Sequence, residues 1–426
     1  MTMDSFCVLP WRNLNTTPMG QCKLCCNIQD FKVIQEGRGQ GHPLNWGTNP
    51  LTHIWNGEHM QTVRQQMLDG LPVSDCGICY GMEASGVQSP RQLANEAHPI
   101  DRSGLVRISG TWPVSLELRP STRCNLTCVT CWSGSSDRVA AQRRELLDHH
   151  DTGTAVLPQW LAKEWHKELR INQADGSEEW NSDGDYSDRS QSLDNFRLIA
   201  PGLQRLYITG GEPTMDATIY QYLEILHSVG NTDCEVSFTT NCTLWNPKLV
   251  QQLSRFNTEV QISVDGFGAQ DEFIRQGTVW SEKDENLRRY LSSSVARSIK
   301  IFTVVSALNC LSMRPLLRHL SWTAQELDKP CIWFPIVLDF PSYLSCAALP
   351  LAARQAAWRD LRRSIPRGPC DMLHGLAHAQ QVVANRPFDS DICSKFEQWL
   401  AFKRDTHGQD TATIFPELTE ALLATH

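Results

Sequence analysis

The chain has 426 residues and a formal net charge of −8 at pH 7, which predicts two or three domains with ample material for a buried core. The acidic balance, without any Lys/Arg block, disfavours a nucleic-acid partner, and no stretch approaches the roughly 18 apolar residues of a membrane span. The first residues lack the basic and apolar regions of a signal peptide. We therefore expect a cytoplasmic protein whose 16 cysteines serve metal binding or catalysis before disulfides.

Residues 1–105 are predicted to form a separate N-terminal domain, rich in Cys, Gly and Pro, with short helices such as 58–68. Four of its cysteines lie at three separate places in the sequence and could stabilise this loop-rich region by binding a common metal centre. These cysteines are Cys7, Cys25, Cys76 and Cys79. Cys26 could replace Cys25 as a ligand, and four thiolates alone do not distinguish a zinc ion from an iron–sulfur cluster.

Three further cysteines, Cys124, Cys128 and Cys131, follow a strand-like run with the spacing C-x3-C-x2-C. Three thiolates on one short loop can hold a single iron–sulfur cluster. One iron of a cubane would then lack a protein ligand, and an open metal position is what separates catalytic from structural zinc sites. The alternative is a zinc knuckle, but its fourth ligand should be close in sequence, and the next Cys or His is His149.

Residues 106–345 alternate between strand-like and helix-like runs, a pattern typical of β/α units around a parallel sheet. The predicted strands span 114–118, 205–209, 234–239, 259–264, 299–305 and 332–338. The predicted helices of this region span 138–148, 219–227, 247–255, 285–292 and 313–327. Residues 346–426 are predicted to form a helical C-terminal extension.

Candidate ligand-binding residues lie at the predicted strand ends, because the loops at the carboxyl ends of parallel strands converge on one mouth. The second strand ends in Gly210-Gly211-Glu212-Pro213, where glycines let backbone approach a ligand and Glu212 offers a carboxylate to a cation. The later strand ends and the segment after them add Thr240, Asn241, Ser263, Asp265 and Arg275. Ordinary strand-end capping is the alternative for these polar residues.

The C-x3-C-x2-C loop, followed one β/α unit later by Gly210-Gly211-Glu212-Pro213, resembles the radical S-adenosylmethionine (SAM) superfamily. The resemblance implies a partial (β/α)6 TIM-like barrel in which Cys124, Cys128 and Cys131 hold a 4Fe-4S cluster. It also implies that the reduced cluster cleaves SAM to a 5′-deoxyadenosyl radical that abstracts hydrogen from a substrate. Thr130 departs from the pattern, since relatives usually have an aromatic or large apolar residue before the third cysteine.

The same resemblance assigns SAM contacts to the residues at the other strand ends. Gly210, Gly211, Glu212 and Pro213 would bind the amino group. Ser263 and Asp265 would meet the ribose hydroxyls, and Arg275 would pair with the carboxylate, which a guanidinium suits. Thr240 and Asn241 would contact SAM from the third strand.

The N-terminal cysteines, together with Gly20 and Cys79-Tyr80, resemble the twitch (SPASM-like) domain of radical SAM proteins. The resemblance implies that Cys7, Cys25, Cys76 and Cys79 hold a second, auxiliary 4Fe-4S cluster that serves as an electron relay or structural clip. It further implies a reductase, flavodoxin or ferredoxin as electron donor and a peptide or peptidyl substrate. A sugar, nucleoside or small metabolite is the alternative substrate, and a non-catalytic Fe-S or zinc redox or binding protein is the alternative of a different class.

Two other sequence patterns give weaker evidence of a metal site. The acid-rich residues 174–188 could suggest a calcium loop, but Tyr186 stands where an EF-hand turn needs Gly, so we expect a solvated insertion. Cys370, His374 and His378 recur every fourth residue and would share one face of a helix, where packing is commoner than metal binding.

Overall fold

A computed structural model describes residues 4–28, 32–37, 41–84, 86, 88–153, 157–171, 186, 189–365, 368–408 and 410–424. Its strands are β1 (Asn13–Thr16), β2 (Cys22–Lys23), β3 (Ser115–Leu118), β4 (Thr127–Cys128), β5 (Arg205–Ile208), β6 (Glu235–Thr240), β7 (Asn257–Ser263), β8 (Arg275–Gln276), β9 (Ser298–Val305), β10 (Cys331–Val337) and β11 (Cys370–Asp371).

The helices before β7 are α1 (Leu51–Asn56), α2 (Glu58–Leu68), α3 (Gly77–Ala84), α4 (Pro90–Ala97), α5 (Asp137–Asp151), α6 (Gln159–Ile171), α7 (Ser190–Ile199), α8 (Ile219–Ser228) and α9 (Pro247–Leu253). The later helices are α10 (Ala269–Ile274), α11 (Trp280–Ser292), α12 (Met313–Glu326), α13 (Leu351–Ser364), α14 (Leu373–Asn385), α15 (Ser390–His407), α16 (Thr411–Ile414) and α17 (Pro416–Leu423).

The chain divides into two compact units, each made of several segments. Unit 1 comprises Met1–Arg123, Ile171–Phe238 and Lys248–Asn257. Unit 2 comprises Cys124–Arg170, Thr239–Pro247 and Thr258–His426. Both are α/β units built on a mostly parallel sheet, as the alternating sequence pattern predicts.

Unit 1 contains strands in the order β6-β5-β3-β1-β2, all parallel except β2. The apolar side chains of β3, β5 and β6 are buried, as expected for parallel strands covered on both faces. Helices α7 and α8 pack together through Phe196 and Tyr222, whose ring centroids are 4.8 Å apart in an edge-to-face arrangement. This core holds the C-terminal end of β5, where the Gly-Gly-Glu-Pro turn begins.

Unit 2 contains the parallel strands β7-β9-β10-β11 and a separate antiparallel pair, β4 and β8. Along β9 every second residue is buried, the period-2 pattern of a strand with two different faces. Helices α13 to α17 follow Pro341, which confirms the predicted helical character of the C-terminal residues.

The predicted strands are all present, with ends within about two residues of those observed. Strands β1, β2, β4, β8 and β11 were missed because two to four residues are too few to show an alternating pattern. Helices α6 and α7 were also not predicted. The proposed boundary at residue 105 remains a prediction, and β1 from the N-terminal region pairs with β3 inside unit 1.

Among the helices of the described part of the chain, none combines the length and apolar composition needed to cross a bilayer.

Candidate functional site

The C-x3-C-x2-C loop lies in unit 2, where its middle cysteine belongs to a short strand. Cys128 in β4 is paired in antiparallel register with Arg275 in β8, and Thr127 is paired with Gln276. The backbone N–H of Val129 donates to the carbonyl of Ile274 over 2.9 Å. The loop is therefore fixed to a segment far along the chain, which the sequence pattern did not reveal.

The three cysteines of the loop are close enough to influence one another electrostatically, and all are partly exposed. Burial, reinforced by the neighbouring Cys124, raises the pKa of the Cys131 thiol to about 11. Burial also raises the pKa of Cys128, although Arg275 opposes this shift. The free thiols of Cys128 and Cys131 are therefore protonated near neutral pH and must lose protons when they bind a metal.

Hydrogen bonds among buried polar side chains hold the end of the cysteine loop. Arg143 of α5 donates from Nη2 to the carbonyl of Cys131 over 2.8 Å and from Nη1 to the carboxylate of Glu168 in α6. The hydroxyl of Ser133 donates to the same Glu168 oxygen over 2.6 Å. Because Arg143, Glu168 and Ser133 are all buried, these bonds form away from competing water.

Hydrogen bonds among three side chains hold the beginning of the loop. Asn241 donates from Nδ2 to Oδ1 of Asn125 over 2.9 Å, and Asn125 donates to the hydroxyl of Thr243 over 2.7 Å. Thr243 in turn donates to Oδ1 of Asn241 over 2.7 Å. The predicted SAM contact Asn241 therefore lies directly against the cysteine loop.

Asp265 and Arg275, both predicted SAM contacts, are close to each other in a buried charge network. Nε of Arg275 lies 2.8 Å from Oδ2 of Asp265, whose side chain is fully buried. Asp271 accepts from the backbone N–H of Asp265 over 2.8 Å and lies 2.5 Å from Nζ of Lys283. Burial raises the pKa of Asp265 even with Arg275 beside it, and Asp265 raises the pKa of Arg275 against the opposing effect of burial.

The remaining strand-end residues of unit 2 have simpler surroundings. The hydroxyl of Thr240 accepts from the backbone N–H of Cys242 over 3.0 Å, so it serves as a turn cap. Cys242 itself has a positive φ of 65°. Ser263 ends β7 and is paired in register with Phe302 of β9.

The Gly-Gly-Glu-Pro turn lies in unit 1 and packs against the chain segment just before Cys124. A Cβ on Gly211 would lie 2.1 Å from the carbonyl oxygen of Arg123, and Gly210 has a φ of 133°. The N–H of Glu212 donates to that carbonyl over 2.6 Å. Only glycine permits this close backbone approach, so the two glycines are explained by packing as well as by any ligand.

The Glu212 carboxylate is buried, with 2% of its surface exposed. Its Oε1 accepts from the backbone N–H of Thr214 over 3.1 Å and from the Thr214 hydroxyl over 2.6 Å. Pro213 occupies the first position of the short 3-10 turn that Glu212 caps. Glu212 is thus held in one orientation by its own turn.

The four N-terminal cysteines also come together, within unit 1. They line one cavity of about 20 Å³. Its cysteines are Cys7, Cys25, Cys76 and Cys79. Cys26 is not among its lining residues and is exposed, with Glu117, Arg119 and Lys23 as charged neighbours. This placement favours Cys25 over Cys26.

Charge and burial characterise this second group of thiols. Burial raises the pKa of Cys7 to about 12 and that of Cys76 to about 11. Arg91 lines the same cavity and is paired with the buried carboxylate of Glu83 at 2.5 Å. Across the described residues, no three or more His, Cys, Asp or Glu side chains are grouped so as to hold a metal ion.

The structure describes few of the residues that form the two weaker sequence patterns. Of residues 174–188 only Tyr186 is described, so the calcium-loop question lies outside the described residues. The same holds for the side chains of His374 and His378. Cys370 is buried and lies opposite Cys331 in the β10–β11 pairing.

Residues 118–306 match the sequence model described as Radical SAM superfamily. They form a radical SAM domain. This range contains the C-x3-C-x2-C loop, the Gly-Gly-Glu-Pro turn and the Asp265–Arg275 pair. The match supports an enzyme, and the family that it describes implies a 4Fe-4S cluster and SAM. No curated protein matches the sequence.

Several solved structures of radical SAM enzymes are similar to this chain at low identity. Native anSMEcpe with bound AdoMet is 15% identical, with 61% of this chain and 64% of that chain covered and a TM-score of 0.38. The same enzyme with AdoMet and Cp18Cys peptide is 14% identical, with coverage of 60% and 62% and a TM-score of 0.35. TYW1 with a lysine-pyruvate adduct is 15% identical, with coverage of 58% and 72% and a TM-score of 0.30. The chain thus spans less than two thirds of the anSMEcpe structures that it matches.

The loop residues of this radical SAM domain fit the cluster by the chemistry of their donors. The three thiols of one loop, which influence one another electrostatically, are the type of ligand that iron–sulfur clusters take. Sequence reasoning found these cysteines by their spacing, but it missed Arg143, Glu168 and Lys283. Single charged residues inside helices form no pattern that could have revealed them.

Proposed function

We propose that the protein cleaves SAM reductively at a cluster bound by Cys124, Cys128 and Cys131, within a partial (β/α)6 barrel. The observation that carries this proposal is the match of residues 118–306 to the radical SAM superfamily, which includes all three cysteines. When bound, the cluster and SAM supply a 5′-deoxyadenosyl radical able to abstract hydrogen from a substrate. The protein contributes ligands, orientation and exclusion of water.

The SAM-binding role of the chain falls on residues whose orientations are already constrained. Glu212 would receive the SAM amino group, with Gly210, Gly211 and Pro213 shaping the turn around it. Asn241 and Thr240 would contribute polar contacts beside the loop, and Ser263 would reach a ribose hydroxyl.

Asp265 and Arg275 require a more specific assignment. Since the two side chains pair with each other in a buried position, SAM binding by either must share or break this contact. We therefore assign Arg275 a double role, supporting Cys128 through the β4–β8 pairing and offering its remaining N–H groups to the SAM carboxylate.

A second, auxiliary 4Fe-4S cluster is proposed at Cys7, Cys25, Cys76 and Cys79, in an N-terminal twitch (SPASM-like) domain. The support is the shared cavity of the four thiols. With all its irons bound by thiolates, this cluster would relay electrons or stabilise the fold of the domain. It would not offer an open iron to substrate.

The substrate is proposed to be a peptide or peptidyl group, with a reductase, flavodoxin or ferredoxin as electron donor in the cytoplasm. This part rests on the family resemblance of the N-terminal cysteine pattern and on no contact in the structure. A sugar, nucleoside or small metabolite is the competing substrate class.

Anaerobic reconstitution with iron and sulfide, followed by SAM and dithionite, tests the proposed reaction. Wild-type protein should release 5′-deoxyadenosine and methionine, and Cys128→Ala should release neither. Cys234→Ala is the matched control, because Cys234 is buried in unit 1 and belongs to neither proposed ligand set. Wild-type protein that binds iron but forms no 5′-deoxyadenosine would instead support the non-catalytic redox or binding protein.

A further inference from the structure

A buried lysine lies beside the cysteine loop of unit 2. Lys403 is on α15, and only 5% of its surface is exposed. It lines a cavity of about 30 Å³ together with Thr127, Cys128, Arg143 and Gln276. The cavity therefore joins the loop that carries the cluster ligands to a cationic side chain on a C-terminal helix.

Three other cations around this loop form ion pairs. Arg143 is paired with Glu168, and Arg275 is paired with Asp265. Lys283 is paired with Asp271. Each pair cancels its own charge, so these three cations add little net positive charge beside the cysteines.

Lys403 differs from these three cations. No carboxylate of the described residues forms an ion pair with it, and its Nζ lies 5.9 Å from the ring centroid of Trp399. Burial lowers the pKa of Lys403 to about 8, as expected for an ammonium group that is desolvated without an anionic partner. Burial of an uncompensated charge is unfavourable, which raises the question of what charge balances it.

We propose that Lys403 is the electrostatic partner of the cluster bound by Cys124, Cys128 and Cys131. Three thiolates outweigh the charge of an oxidised cubane core, so the loaded centre is anionic, and reduction adds a further negative charge. A nearby ammonium group stabilises the more negative, reduced form and raises the reduction potential, which depends on net charge and surroundings. This inference rests on the proposed cluster site and adds a residue outside the matched domain range.

The proposal predicts how one substitution affects two quantities, the stability of the cluster-free protein and the midpoint potential of the loaded protein. Lys403→Met removes a buried charge and keeps an apolar stem, so the cluster-free protein should be as stable as wild type or more stable. The loaded protein should show a more negative midpoint potential. If Lys403 had only a structural role, its substitution would lower the stability and leave the midpoint potential unchanged.

The test is an EPR-monitored redox titration of anaerobically reconstituted full-length protein, following the signal that Cys128→Ala lacks. Lys403→Met and Lys403→Gln should both shift the midpoint to more negative values, and Lys403→Arg should keep it near the wild-type value. Lys395→Met is the matched control on the same helix, because Lys395 is near the surface and paired with Asp391. It should leave the midpoint unchanged.

The outcomes separate this inference from the proposed function. If wild-type protein gives no EPR signal dependent on Cys128, the cluster assignment itself fails. If wild type is loaded but Lys403→Gln retains its midpoint, only the role of Lys403 is overturned. If Lys403→Met does not load iron, the comparison of Lys403→Gln with Lys403→Arg decides.

Discussion

Individual side chains around the cysteine loop are held by buried polar contacts more than by exposed ones. Arg275 and Asp265 lie 2.8 Å apart with 11% and 0% of their side chains exposed, whereas Arg197 and Asp194 form a pair that is more than half exposed. The difference matters because removing one partner of a buried pair leaves an uncompensated charge.

Asp265→Asn should therefore lower the free energy of unfolding of the cluster-free protein by about 3–5 kcal/mol. Asp194→Asn, which disrupts the exposed pair, should cost about 1 kcal/mol or less. Chemical denaturation of both variants measures the two values. Equal losses would show that the Arg275 pair contributes no more than a surface contact.

The pKa of Cys131 provides a second prediction for a single residue. Because its pKa is about 11 in the folded, cluster-free protein, the thiolate is scarce at pH 8, and its fraction rises as the pH approaches 11. An unperturbed thiol has a pKa near 8.5, so the folded protein should hold on the order of 100-fold less thiolate at pH 8.

Iodoacetamide labelling of Cys131, followed by mass spectrometry across pH 7 to 10, measures this effect, since only the thiolate reacts. The protein unfolded in guanidinium is the control and should be labelled much faster at pH 8. Similar rates in the folded and unfolded protein would contradict the raised pKa.

At the level of elements, the Gly-Gly-Glu-Pro turn shows how backbone packing and ligand binding can require the same residues. Gly211 is pressed against the carbonyl of Arg123, the residue that precedes Cys124 in the chain. A side chain at Gly211 must therefore displace backbone, whatever SAM contributes.

Gly211→Ala should destabilise the cluster-free protein by about 1–3 kcal/mol, because the new Cβ would lie 2.1 Å from the Arg123 oxygen. Gly202→Ala is the control, since a Cβ there meets nothing within 4 Å. Thermal unfolding without SAM compares the two. A Gly211→Ala protein as stable as wild type would show that the close approach is easily relieved.

The elements also show how far the sequence alone could predict the structure. Strands of the parallel sheet were predicted because runs rich in apolar and β-branched residues alternate with helix-like runs along the chain. The two-residue strands β4 and β8 carry no such pattern, although they fix Cys128 against Arg275. The cysteines were found by spacing, but Arg143 and Lys403 depend on contacts between residues distant in sequence, which periodicity does not encode.

At the level of the whole molecule, the two cysteine groups predict how much iron the chain binds. Each proposed cluster contributes about four iron atoms, so reconstituted wild-type protein should bind about eight. Cys76→Ala/Cys79→Ala should bind about four and retain the signal that depends on Cys128.

Single substitutions then separate the two adjacent cysteines of the N-terminal region. Cys25→Ala should lose the auxiliary iron, because Cys25 lines the shared cavity, whereas Cys26→Ala should keep it. Iron and sulfide analysis measures both. Loss of iron in Cys26→Ala, or an unchanged content in the double variant, would contradict the proposed ligand set.

The antiparallel pairing of Cys128 with Arg275 has a consequence for biosynthesis. About 150 residues must leave the ribosome after the cysteine loop before its partner strand is available, and such long-range contacts form late in folding. Until then the three thiols lack their final arrangement. We therefore expect cluster delivery to the C-x3-C-x2-C loop to follow completion of the domain, with nascent chains shorter than about 280 residues unable to retain iron at this loop.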